Sequence, residues 1–178
     1  MSSQTIKSKS APPSGPATGA AQGSPPVSPE VAALLDKIAM HLQKDQPTTA
    51  LELIRKSKLR SPWIDNATAV CQMRQGNAEI AVQVLRKLVL SQGILLRQDV
   101  PPVFKINFAT ALCMADNVSG CLNALAEIDA EDHPAVERLR RAIAKWKRGL
   151  TLWQRIRWRA GSAVGGPVRL DFPPGELR

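Results

Sequence analysis

From residue 31 the chain places apolar side chains at helical spacing. Val31, Leu34, Leu35, Ile38 and Leu42 recur every three or four positions, the stripe of an amphipathic helix. Ser28-Pro29-Glu30 ahead of them supplies an N-cap and a proline suited to a first turn. A polar turn, Lys44-Asp45-Gln46-Pro47, follows. Ala50, Leu51, Leu53 and Ile54 then open a second helix, with Thr48 or Thr49 placed to cap it. Two helices joined by so short a loop are antiparallel neighbours.

The hairpin then recurs. Five residues after the turn residue Asp45 stands Ala50, followed by Ile54 and Ser57, with Pro62 closing the unit; Gly76 is followed by Ala81, Leu85 and Leu88; Asp116 is followed by Cys121, Leu125 and Ile128, with His133-Pro134 closing. Seven residues before the three turns stand Ile38, Ala69 and Ala109. The small residue after each turn has a steric reason, because the two helices of a hairpin approach most closely there. The residues one turn further on return to the same face and meet the next hairpin. Pro101-Pro102 reset the chain before the third unit, which Phe104, Phe108 and Leu112 begin.

This pattern resembles the tetratricopeptide repeat, a helix-turn-helix unit of ~34 residues. The resemblance covers residues 31–134 in three units and is closest from Ser61 to Leu88. Asp45 and Gly76 are 31 residues apart and Gly76 and Asp116 are 40 apart, so the second link carries an insertion around Ser91–Val100. Gln72 falls where the family usually has an aromatic residue. The resemblance implies an all-α fold, an antiparallel stack of helical hairpins; with the regions on either side it gives the expected architecture of a repeat stack with a C-terminal capping helix, a disordered N-terminus and a short extended C-terminal tail. It also implies that the first helices line a concave groove. Leu35, Ala39 and Leu42 would face it from the first unit; Trp63, Asn66, Val70, Met73 and Arg74 from the second; Ile106, Thr110 and Met114 from the third. Such a groove suits a helix or an extended peptide. Asn66 lacks the lysines with which some family members clamp a terminal carboxylate.

Three regions follow. Residues 1–30, rich in Ser, Pro, Gly and Ala, bury too little to offset their ordering entropy and read as a disordered tether. Residues 31–148 form the repeat domain with its capping helix. Residues 149–178 hold a Trp/Arg-rich segment and a tail. In the tail Val168, Leu170 and Phe172 alternate as in a short strand and share one side. An isolated strand is not stable alone, so the tail is expected to lie extended against the body or to bind a partner as a short peptide, with 168–172 a candidate occupant of the groove.

Charge divides the chain differently. Residues 1–137 carry 13 Lys/Arg against 13 Asp/Glu, so the net +9 resides in 138–159, with nine basic residues, no acid and three of the four tryptophans. Asp132-His133-Pro134 starts a helix, whose seam of Val136, Leu139, Ile143, Trp146, Leu150 and Trp153 fits a terminal cap. Arg138, Arg141, Lys145 and Arg148 form the neighbouring stripe, and Trp153, Arg155, Arg157, Trp158 and Arg159 interleave beyond Gly149. Three readings stay open, in this order: Trp153 and Ile156 pack on the fold while the arginines stay wet; the segment attaches to an anionic surface, a membrane or a nucleic-acid backbone; or it reads bases.

The remaining chemistry is sparse. Phosphate loops, dinucleotide glycine motifs and nucleophile elbows are missing from the sequence. His41 lies within a helical pattern, and His133 is better placed to cap a helix than to join Glu137 on a metal. Cys71, Cys113 and Cys121 form no CxxC pair and read as small hydrophobes. No catalytic, cofactor-binding or metal-binding residues are expected. With no apolar run of 18 residues and no hydrophobic leader, a cytoplasmic protein is expected, peripherally membrane-associated if the basic segment attaches to lipid. The expected function is a non-catalytic protein-interaction scaffold, with anionic-surface attachment as the alternative; oligomeric state is unreadable.

Overall fold

A computed structural model describes residues 27–91, 95–128, 132–161, 166 and 168–178. The expected tether lies outside the described residues up to position 26. Among the described residues the protein is all-α, apart from one two-residue hairpin. Its helices are α1 (Pro29–Gln43), α2 (Pro47–Ser57), α3 (Pro62–Arg74), α4 (Ala78–Val89), α5 (Pro102–Met114), α6 (Val118–Ala126), α7 (Pro134–Gly149) and α8 (Leu152–Arg159).

The three turns use the residues from which the repeat was counted. Asp45, Gly76 and Asp116 all have positive φ, at 53°, 82° and 58°. A left-handed residue reverses the chain at a helix end, and Gly and Asp tolerate it best. The small residues after the turns, Ala50, Ala81 and Cys121, are completely buried, as are Ile38, Ala69 and Ala109 before them. Ser28 caps α1 through its hydroxyl, which accepts from the Val31 amide. α2 differs from expectation. It starts at Pro47 after Gln46, without a side-chain cap, so Thr48 and Thr49 lie inside the first turn. Proline at that position removes an amide that has no helical partner anyway, and its fixed φ makes the cap dispensable.

Consecutive helices pair from α1 to α6, and α1 touches α3, α3 touches α5, and α5 touches α7. The odd-numbered helices therefore form an inner row, backed by α2, α4 and α6. The insertion between the second and third units is an antiparallel pair, β1 (Leu90–Ser91) with β2 (Leu95–Leu96), in the register Leu90 to Leu96 and Ser91 to Leu95. Both central inner helices lack a wet face. α5 buries eleven consecutive residues, Val103 to Cys113, and α3 buries eight of its thirteen. A helix apolar on all sides must be covered on all sides.

α7 buries Val136, Leu139, Ala142 and Ile143 against the stack, and His133 Nδ1 accepts from the Ala135 amide at 3.2 Å as its cap. The expected seam ends early. Trp153 is 75% exposed, because the chain leaves the helix at Leu150 with ψ 138° and restarts at Thr151 with a capping box to Gln154. The restart rotates the face, so Trp158 rather than Trp153 meets Trp146, edge to face at 6.1 Å.

All three cysteines are buried, and burial pushes the Cys71 thiol up to about 12. Two outcomes follow from this packing. Ala81→Leu should destabilise the fold by about 1–3 kcal/mol through overpacking at the hairpin contact, measured by urea denaturation. A thiol reagent should label none of the cysteines at neutral pH until denaturant unfolds the chain.

Candidate functional site

The inner row brings two buried amides together beneath the C-terminal segment. Asn66 of α3 is fully buried and Asn107 of α5 is 1% exposed, and the Asn107 amide nitrogen donates to Asn66 Oδ1 at 2.8 Å. One such bond leaves both side chains with unused capacity, which a buried amide cannot leave unmet without cost. The chain's own C-terminal segment meets it. The Glu176 amide donates to Asn107 Oδ1 at 2.9 Å, and the Glu176 carbonyl accepts from Asn107 at 2.7 Å. Asn66 Nδ2 adds bonds to the Glu176 carbonyl at 3.2 Å and the Leu177 carbonyl at 3.4 Å. Among the described residues, every buried side-chain polar atom finds a partner.

Around this contact the segment is held at each inner helix. Arg74 of α3 donates from Nε to the Pro174 carbonyl at 2.7 Å. Burial there lowers its pKa from the ordinary arginine value, opposed by the nearby Asp45 carboxylate. Arg178 reaches α1, pairing with Asp36 at 3.1 Å and donating to the Ala32 carbonyl at 2.8 Å. On α7, Arg138 pairs with Glu176 at 2.6 Å and lies over the Phe172 ring at 5.5 Å. His133 Nε2 is 3.9 Å from the other Glu176 oxygen.

Gly175 makes the close approach possible. Its φ is +85°, and a Cβ there would sit 2.8 Å from the Met73 methyl and 2.9 Å from a Val70 methyl. Any larger residue is excluded both by backbone conformation and by contact. Beside the segment, a cavity of about 890 Å³ opens against Leu35, Ala39 and Leu42 of α1. The groove is wider than its occupant.

The sequence-predicted groove residues divide. Asn66, Val70, Met73 and Arg74 touch the segment. Trp63 packs edge-on against Phe104 at 4.9 Å within the core. Ile106 is buried, Thr110 donates its hydroxyl to the Ile106 carbonyl at 2.9 Å, and Met114 is partly buried against the core. The expected occupant is shifted. Residues 173–178, not 168–172, cross the groove, while 168–172 forms no strand; its Val168, Leu170 and Phe172 pack on the core. The helical stack offers no sheet edge to extend, and the tail lies extended against the body, as expected. Asn107 escaped the sequence reading. Its signal was an amide, a poor helix former, amid an otherwise almost entirely apolar helix.

The basic residues divide as well. Lys145 lies 3.8 Å from Asp171 and Arg141 3.8 Å from Glu137. Arg155 donates to the Leu150 and Arg148 carbonyls at the end of α7. Trp158 is half-buried beneath Lys147, whose ammonium stands 4.6 Å from the ring centre. Arg157 and Arg159 are exposed, as are Trp153 at 75% and Ile156 at 57%. The expectation that Trp153 and Ile156 pack on the fold is therefore overturned by the restart at Thr151.

Asn107→Ala should cost about 2–3 kcal/mol, since it strips the Glu176 main chain of two partners and leaves Asn66 Oδ1 buried without its donor. A double-mutant cycle with Gly175→Val checks the cause. The two effects should fall well short of additive, because either change frees the same segment. No family model, curated protein or solved structure matches this chain.

Proposed function

We propose that the concave face is a binding groove for extended peptides, recognised chiefly through their main chain, and that residues 173–178 are its resident occupant. The observation that carries this reading is the two-bond pairing of Asn107 with the Glu176 amide and carbonyl, reinforced by Asn66. A side-chain amide that accepts from the N–H and donates to the C=O of one residue reads backbone, not side-chain identity. Specificity would come from three places: the gap above Val70 and Met73 that admits only glycine, the Arg138 guanidinium that faces an acid, and the Arg74 bond beside a Pro-Pro pair. A competing partner would thus present an extended Pro-Gly-acidic segment. The resemblance of the hairpins to tetratricopeptide repeats supports the same class of scaffold, and the open cavity beside α1 leaves room for side chains larger than those of the resident.

A resident tethered in the same chain competes at an effective concentration in the millimolar range. A labelled peptide of residues 169–178 should therefore bind the parent chain weakly, and bind the Gly175→Val variant at least tenfold more tightly, by fluorescence anisotropy. Adding Asn107→Ala to that variant should abolish the gain. If Gly175→Val destabilises the fold yet creates no site for the peptide, the segment is a structural strap and the reading fails.

A further inference from the structure

The segment leaves one surface of the basic region unused. α8 turns Trp158 and Gln154, one helical turn apart, toward the body: Trp158 rests on Trp146, and Gln154 closes the capping box and lines a cavity against α7. The opposite face carries Leu152 at 79% exposure, Trp153 at 75% and Ile156 at 57%. Leu152 and Ile156 are one turn apart with Trp153 beside them, so the three share one arc. Exposed Arg157 flanks that arc on the tryptophan side and exposed Arg159 on the other. Among the described residues, Glu176 and Asp171 pair with Arg138 and Lys145 of α7, while Arg157 and Arg159 of α8 are exposed.

We infer that α8 is a membrane-interface helix, which inserts Leu152, Trp153 and Ile156 among the acyl chains of an anionic lipid surface while Arg157 and Arg159 hold its headgroups. Charge complementarity identifies the partner as anionic, because 138–159 holds nine cations and no acid. The aliphatic pair argues against nucleic acid, where phosphates would take the arginines but bases offer Leu152 and Ile156 no hydrocarbon phase. Size argues against a protein surface. An eight-residue helix is roughly 12 Å long, and it falls short of the ~800 Å² per partner of a stable protein interface. A short helix with one apolar arc, an indole and flanking guanidinium groups fits the headgroup boundary, where the arginine stems lie along hydrocarbon with their charges in water.

The test uses the full chain with vesicles of phosphatidylcholine alone or with about one-third phosphatidylserine, near physiological salt. Sedimentation with the anionic vesicles only, with a blue shift of tryptophan emission that Trp153→Phe removes without loss of binding, is the expected result. Leu152→Ser with Ile156→Ser should weaken partitioning roughly tenfold or more, and Arg157→Gln with Arg159→Gln should weaken it for anionic vesicles. Unchanged thermal melts would show that the fold is intact in each variant. Three results would overturn the inference: no sedimentation; sedimentation indifferent to the Leu152/Ile156 change; or binding to single-stranded RNA that needs the arginines alone, which would assign the face to nucleic acid. Self-association without vesicles, lost in the Leu152/Ile156 variant, would equally overturn it in favour of a second copy of the chain.

Discussion

The architecture turns on a pair of buried amides. Asn66 and Asn107 face one another from adjacent inner helices, both buried, and together they offer more donors and acceptors than they can use on each other. The main-chain N–H and C=O of Glu176, laid across them, supply a donor and an acceptor. The conformation of residues 173–178 follows from that demand. Gly175 takes a positive φ to clear Val70 and Met73, Glu176 presents its backbone to the amides, and its carboxylate then reaches Arg138. The same contact helps to cover α3 and α5, since the face that would otherwise be wet is roofed by the chain itself.

Charge follows the same logic. Nine cations within 22 residues repel one another unless something offsets them. The C-terminal segment returns Asp171 and Glu176 to α7, where they meet Lys145 and Arg138. Exposed pairs such as Lys145 with Asp171 contribute little energy on their own, but they fix which way the segment runs. Both of these pairs lie on α7. The groove and α8 are thus two chemically different surfaces of one molecule, the first selective for main chain and the second apolar with a cationic rim.

The seam that runs to Trp153 in the sequence breaks at Leu150 in the structure. Leu150 keeps the seam of α7 and is buried, but its extended ψ ends the helix. Thr151 and Gln154 then start a new helix whose phase owes nothing to the old one. A periodicity that runs through both elements in sequence is cut in space, so Trp153 moves to solvent and Trp158 takes its place against Trp146. At the other end of the segment, the alternation at 168–172 survives as alternating burial without becoming a strand, because alternation records which side faces the core and not whether a neighbour supplies hydrogen bonds.

The sequence by itself determined the helices from α1 to the start of α7, the three reversals at Asp45, Gly76 and Asp116, and the small residues at which each hairpin closes. These are local consequences of spacing at three and four, of left-handed tolerance at helix ends and of van der Waals size, and each is legible within a dozen residues. It also marked Asn66, Val70, Met73 and Arg74 as facing a groove. Only the tertiary structure decided what lies in that groove. The meeting of Asn66 with Asn107, 41 positions on, and of Arg74 with Pro174, 100 positions on, depends on how many hairpins intervene and how they stack. No side chain near Asn107 in the sequence announces an amide across from it. Local spacing fixes the face on which a residue lies, whereas the partner that reaches that face is set by the path of the whole chain.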